Sequence, residues 1–147
     1  PPKDAVNAML SFAYTLMTND YIAALETVGL DPYVGFLHTL RPGRASLALD
    51  MMEELRAYLG DRFVLSLINK RQITSKDFLS QGDNGVVMTD KGKKVFISAW
   101  QSRKRELITH PYLNEKIEIG LLPYAQSMLM ARFIRQDIDD YPVFLIK

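Results

Sequence analysis

Apolar positions recur along this chain with a mostly helical period, and the places where that period starts and stops define its elements. Residues 3–18 predict a first helix. The span Ala5 to Asn19 carries no charge, and Asn7, Ser11 and Thr15 form one polar stripe at a spacing of four. That span is too short to cross a bilayer, so it predicts a helix buried in the protein with small polar residues along one edge. Asp20 to Val28 predicts a second helix, ended by Gly29 at the C-cap position. The following "GLDPYVGFLHTLRPGRA" holds two prolines and three glycines and predicts a long structured loop. Loops of that length in compact domains tend to carry function.

Ser46 is a candidate N-cap for the next helix, which runs to about Leu59 and stops at Gly60. Its apolar stripe is Leu47, Met51, Leu55 and Leu59. Arg62 to Asn69 contains "FVLSLI", which fits a short helix or a strand equally well. "ITSKDFLSQ" opens like a capped short helix, and "GDNGVVMTD" reads as a turn and a short strand. Thr89 caps a helix from Asp90 to about Ile108, and Pro111 interrupts the chain after it. A last long helix is predicted from about Leu113 to Gln136, with Pro123 as a kink or boundary. The tail "DIDDYPVFLIK" is extended, because Pro142 disfavours the helical conformation in Tyr141. The expectation is a mainly α fold: one helical domain over residues 1–147 with a few short strands or turns and about five to seven helices.

Composition narrows the chemistry. The 147 residues are 48% hydrophobic and 24% charged, an ordinary globular balance. A net charge of +1 places any nucleic-acid contact in local clusters. The lack of cysteine excludes disulfides, a thiolate metal site and a cysteine nucleophile, and fits a reducing cytoplasm. No signal peptide is visible. The chain opens Pro1-Pro2 without methionine, which suggests a cut or truncated chain.

Candidate chemistry gathers around His38. Asp50 and Glu53 are three apart on the predicted helix, so their side chains leave one face, with Glu54 close by. His38, on the preceding loop, is placed to return to that helix. Imidazole with carboxylates suits Mn2+ or Mg2+ and leaves Zn2+ open. The same acids also read as plain stabilisers of a helix's positive end, or as a solvated face. Arg41 and Arg44 flank Pro42-Gly43 beside the helix N-terminus. Guanidinium groups and a helix N-terminus both favour phosphate, so the set describes phosphodiester chemistry better than peptide or sugar chemistry. The alternative is that these arginines pair structurally with Asp31, Asp50 or Glu53.

Further basic residues follow. Lys70-Arg71 lies after "FVLSLIN", and Lys91, Lys93, Lys94, Arg103, Lys104 and Arg105 share one predicted helix with Trp100 between the two groups. That helix either tracks a nucleic-acid backbone or is a solvated surface with Trp100 on its buried side. His110, before Pro111, reads as a cap on the preceding helix. The methionines read as core filler, and neither a Gly-rich phosphate loop nor a serine nucleophile elbow is present.

"DAVNAMLSFAYTLM", "GLDPYVGFLHTLRPGRASLALDMMEELR", "FVLSLINKRQI", "HPYL", "GLLPYAQSMLMARFIR" and the closing "YPVFLIK" resemble a known family. They resemble the C-terminal helical domain of the CRISPR-associated DNA integrase, the universal spacer-acquisition protein, in its subtype I-C form. The resemblance covers essentially the whole chain. It implies an N-terminal β domain that is not among these residues, homodimers in the full-length protein, and pairing with a second small CRISPR adaptation protein. It implies DNA partners, protospacer and CRISPR repeat, in a prokaryotic cytoplasm and away from membranes. It implies a catalytic Mn2+ or Mg2+ held by a glutamate, a histidine and an acidic residue. The histidine matches His38, the acid matches Glu53, and Asp50 matches a second acid beside the ion. The glutamate belongs upstream of residue 3, where no counterpart stands. The implied reaction is transesterification, in which a DNA 3′-hydroxyl attacks a repeat phosphodiester. Arg41 and Arg44 would hold phosphates near the ion, with Lys70 and Arg71 further along the DNA path. The alternative is a non-catalytic helical DNA-binding or assembly module. A weaker one is a different metal hydrolase.

Overall fold

A computed structural model describes residues 1–35 and 43–146. Helix α1 (Ala5–Thr27) begins at Asp4, whose carboxylate accepts the Asn7 N–H at 2.8 Å. The expected break near Asp20 does not occur. No glycine or proline stands there to stop the helix, and Asp20 instead reaches Lys104 Nζ at 3.0 Å. The buried face of α1 is Met9, Ala13, Met17, Tyr21 and Leu25. Asn7, Ser11 and Thr15 lie in solvent, so the polar stripe forms the exposed edge of an amphipathic α1. Gly29 (φ +84°) ends it as predicted, with the Leu30 N–H bonded to the Leu25 carbonyl at 2.9 Å.

Helix α2 (Ser46–Leu55) passes through a π-helical turn, Arg56–Asp61, directly into α3 (Arg62–Asn69). Two expectations change here. Gly60 does not end the helix; a Cβ on it would meet Tyr14 Cε1 at 3.1 Å and Met17 Sδ at 3.2 Å, so its small size lets this rod approach α1. Ser46 is the first helical residue rather than the N-cap, which is Ala45; the Pro32 carbonyl takes the N–H groups of Leu47 and Ala48 at 2.9 and 3.2 Å. The loop backbone thus caps the helix that follows it. "FVLSLI" is helical, with Phe63, Val64 and Leu67 buried.

Two antiparallel hairpins interrupt the helices. A 3-10 turn at Ser75–Asp77, closed by a Thr74–Asp77 capping box, leads into β1 (Phe78–Ser80), which pairs with β2 (Val86–Met88). Helix α4 (Asp90–Lys104) starts under its predicted cap, Thr89, but ends before Ile108. Residues expected at that helix's end and at the start of the last helix form β3 (Leu107–Thr109) and β4 (Lys116–Glu118) instead. A 3-10 turn at Ile119–Leu121 precedes α5 (Leu122–Ile134), with Pro123 in its first turn, where a missing N–H costs nothing.

The described residues therefore form a mainly helical structure of five α-helices, α2 and α3 being one continuous rod, plus two small hairpins. Helix α1 packs on α2 and α5. Phe63 lies edge-on to Phe96 and Trp100, with ring centroids 5.1 and 5.0 Å away, and Phe12 meets Phe96 at 4.9 Å. Trp100 is on the buried side of α4, as the solvated-surface reading of that helix requires. Among the described residues no helix is long and apolar enough to cross a membrane.

Candidate metal and phosphate site

Helix α2 presents three acids in three different settings. Asp50 is buried, 3% exposed, beneath the loop that leads to His38. A Cβ at Gly35 would lie 2.8 Å from Asp50 Oδ2 and 2.6 Å from Ser46 Cβ, so only glycine lets the loop backbone press this closely on the carboxylate. Glu53 is on the outer face, paired with Arg56 at 3.4 Å, both side chains largely solvated. Glu54 turns the other way, into a closed polar network.

That network was not visible in the sequence. Glu54 accepts hydrogen bonds from the Tyr141 hydroxyl (2.5 Å), the Phe144 N–H (2.9 Å) and Gln126 Nε2 (3.0 Å). Gln126 Nε2 also donates to the Tyr141 oxygen at 2.8 Å and to the Pro142 carbonyl at 3.2 Å. Gln126 Oε1 sits 2.7 Å from His110 Nε2, and His110 Nδ1 faces the N–H groups of Tyr112 and Leu113, both at 3.1 Å. Nδ1 is therefore the acceptor and Nε2 carries the proton. His110 is thus a buried network member after β3, not a helix cap. Burial pushes the Glu54 carboxyl above its ordinary value, with the hydrogen bonds from Tyr141, Phe144 and Gln126 pulling the other way. Burial, then the Glu54 charge, likewise drives the Tyr141 hydroxyl far up, so it remains a donor.

His38 and Arg41 lie outside the described residues. Arg44 is half-buried just ahead of α2, its carbonyl accepting the Ser46 N–H at 2.9 Å. Lys70 and Arg71 are exposed at the far end of α3. They stand roughly 25 Å from Glu53 along the rod, so the structure does not bring them to the acids. Arg71 adopts φ 55°, closing the helix end in a position usually given to glycine. Among the described residues, no group of three His, Asp or Glu side chains converges on a common point. The signal for Gly35 was its place in the Gly/Pro-rich loop; the Glu54 network has none, since its members come from four distant stretches of chain.

Beside Gly35 lies an apolar hollow of about 500 Å³, lined by Val34, Leu47, Met130, Phe133, Ile134 and Tyr141. The buried Asp50 carboxylate thus sits under the Gly35 backbone, with the solvated Glu53 one helical turn along.

Comparison with known proteins places the chain in a family. The family model for CRISPR associated protein Cas1 matches residues 1–102. A CRISPR-associated endonuclease Cas1 of Chlorobaculum tepidum is 58% identical over 145 residues, covering 99% of this chain and 42% of that protein. The chain therefore spans less than half the length of that relative. A Cas1 protein structure from Thermotoga maritima is 29% identical and superposes with a TM-score of 0.83 over 92% of this chain and 41% of that one. A casposase bound to an integration product shares the fold at a TM-score of 0.87 with 24% identity, over 97% of this chain and 41% of that one. By sequence and by fold, the chain belongs to the Cas1 family of CRISPR-associated proteins.

Proposed function

We propose that residues 1–147 are the C-terminal helical catalytic domain of a metal-dependent DNA integrase and endonuclease of CRISPR spacer acquisition, of subtype I-C character. The observation that carries this reading is the buried Asp50 carboxylate beneath Gly35, with Glu53 one turn away on the same helix and His38 three positions after that glycine. His38, Asp50 and Glu53 would hold Mn2+ or Mg2+. Glu53 suits the ligand role better than Glu54, which is committed to the tail. When bound, the ion supplies charge neutralisation for a phosphodiester under attack and activation of the attacking hydroxyl.

The reaction is a transesterification. The oxygen of a DNA 3′-hydroxyl forms a bond to phosphorus as an existing phosphodiester P–O bond breaks, and the proton lost by the nucleophile balances the one gained by the leaving oxygen. No covalent enzyme intermediate is needed. Arg41 and Arg44 orient phosphate oxygens beside the carboxylates, and their charge offsets the charge that develops there. Lys70 and Arg71 contact the DNA farther along. The partners are protospacer and repeat DNA, a second copy of the full-length protein and a second small adaptation protein, in a prokaryotic cytoplasm.

In the full-length protein, His38→Ala and Glu53→Ala should each abolish Mn2+-dependent strand transfer of a 3′-hydroxyl oligonucleotide. Transfer at the wild-type rate in either variant would sink the assignment. The second reading, a helical DNA-binding or assembly module, draws on the Glu53–Arg56 pair, which gives Glu53 a structural partner. It is the outcome if Glu53→Ala changes stability alone.

A further inference from the structure

The closing segment is held along one edge and open along the other. The Pro142 carbonyl accepts Gln126 Nε2 at 3.2 Å, and the Phe144 N–H donates to Glu54 at 2.9 Å. These groups are two positions apart and turn to the same side, which is the spacing of an extended strand. Val143 and Leu145 therefore turn their N–H and C=O groups to the opposite side. Among the described residues no partner meets those groups. The side chains alternate in step: Phe144 is 3% exposed, while Val143 and Leu145 are 52% and 71% exposed. Phe144 is the anchor, its ring centroid 5.6 Å from that of His110 and 6.0 Å from that of Tyr58. An anchored strand thus offers two sets of unbonded backbone groups with two apolar side chains standing beside them. At its start, Asp137, Asp139 and Asp140 border a hollow of about 460 Å³ with Tyr112 and Pro142. Asp137 is paired with Arg135, whereas Asp139 and Asp140 meet no cation among the described residues.

We propose that this edge pairs with the same edge of a second copy, antiparallel and about a two-fold axis at Phe144. An open strand edge binds another strand through its main chain, and alternate side chains set the register. Here the segment complements itself. With Val143 of one copy facing Leu145 of the other, both residues present their outward groups, so each facing pair exchanges both N–H···O=C bonds. Their side chains then meet on the exposed face as cross-strand apolar pairs. A slip of one residue would set Val143 against Phe144, whose N–H is already taken by Glu54. Charge selects the direction. Antiparallel pairing brings Lys147, next in sequence, opposite Tyr141 of the other copy and beside its acidic stretch; parallel pairing lays acid on acid and lysine on lysine. The contact is short, so the association is weak and concentration-dependent. A second copy of the full-length protein is already a proposed partner, and the tail contact is independent of the metal and of the chemistry.

The test is self-association of the full-length protein by sedimentation equilibrium. Leu145→Pro removes one outward N–H from each copy, and so two bonds from the symmetric contact; the association constant should fall by about tenfold or more. Leu145→Val keeps the N–H and an apolar strand-forming side chain, and should associate like wild type. Position 145 is exposed, so thermal melts of both variants should coincide with wild type. Register is read by mixing a Val143→Cys protein with a Leu145→Cys protein under oxidising conditions. Facing Cα atoms about 5.5 Å apart are within bridging range, so peptide mass spectrometry should find a disulfide between positions 143 and 145. A wild type that stays monomeric, association unchanged by Leu145→Pro, association lost equally with Leu145→Val, or no disulfide between 143 and 145 would each overturn the proposal. Strand transfer by His38→Ala and Glu53→Ala reports on the catalytic reading, so the two fail separately.

Discussion

Glu53 and Glu54 are neighbours, yet their replacement by alanine should have opposite consequences. Glu54→Ala removes the acceptor for three donors. Gln126 Nε2 retains the Tyr141 oxygen and the Pro142 carbonyl, so it stays satisfied. The Phe144 N–H and the Tyr141 O–H lose the one acceptor each has. Two buried orphan donors cost about 1–3 kcal/mol each. Removing a carboxylate whose burial is itself uphill returns part of that, which leaves a net loss of about 2–4 kcal/mol. Glu53→Ala breaks an exposed pair at 3.4 Å and should change stability by no more than about 0.5 kcal/mol. Urea unfolding followed by far-UV circular dichroism measures both, with the midpoint moving at constant slope. A Glu54→Ala midpoint as close to wild type as that of Glu53→Ala would refute the network reading. The same carboxyl sets a pH signature. Its folded-state pKa is raised above the ordinary 4.5, so the folded state binds the proton more tightly than the unfolded state does. The resulting stabilisation is complete below 4.5 and is lost as pH rises through the raised value. The stability difference between wild type and Glu54→Gln should therefore fall as pH rises through that window.

Two further substitutions probe the loop and the rod. Gly35→Ala places a Cβ 2.6 Å from Ser46 Cβ and 2.8 Å from Asp50 Oδ2, so the loop must move off α2; stability should drop by about 1–3 kcal/mol in urea unfolding, and Mn2+ affinity measured by calorimetry should fall with it. Arg71→Gly relieves a left-handed backbone and should raise stability by roughly 0.5–1 kcal/mol in the same assay, while lowering DNA affinity if the side chain contacts phosphate.

The parts of the fold that the sequence revealed are those set by local chemistry. Thr89 and Gly29 act on backbone groups within a few residues, and each does what its position predicts, while Thr74 caps the short helical turn read in "ITSKDFLSQ". The stripe Leu47, Met51, Leu55 and Leu59 is buried for the same reason, since a helix face is fixed by spacing alone. Gly60 misled because its propensity to end a helix is worth only about 1 kcal/mol, which packing against Tyr14 and Met17 overrides. The β3–β4 hairpin is not legible in the pattern, because Pro111 reads as an interruption between two helices. The chain instead turns there on the His110 carbonyl and side chain, which bind the N–H groups of Asn114, Tyr112 and Leu113.

The acids on α2 show most sharply where spacing runs out. At about 100° per residue, Glu54 stands roughly 40° from Asp50 around the helix and Glu53 roughly 60° on the other side. Either could share a ligand with Asp50, and periodicity mildly favours Glu54. What separates them is the tail: Tyr141 and Phe144 reach Glu54 from 87 and 90 positions away, and Gln126 from 72. Three donors aimed at one carboxylate hold it in the interior and leave Glu53 as the acid that faces outward from the same turn. The closing segment of the chain therefore decides which of the two neighbouring acids faces solvent, without touching Glu53. A variant that frees Glu54, such as Tyr141→Phe with Gln126→Leu, would present two outward acids where the native protein presents one.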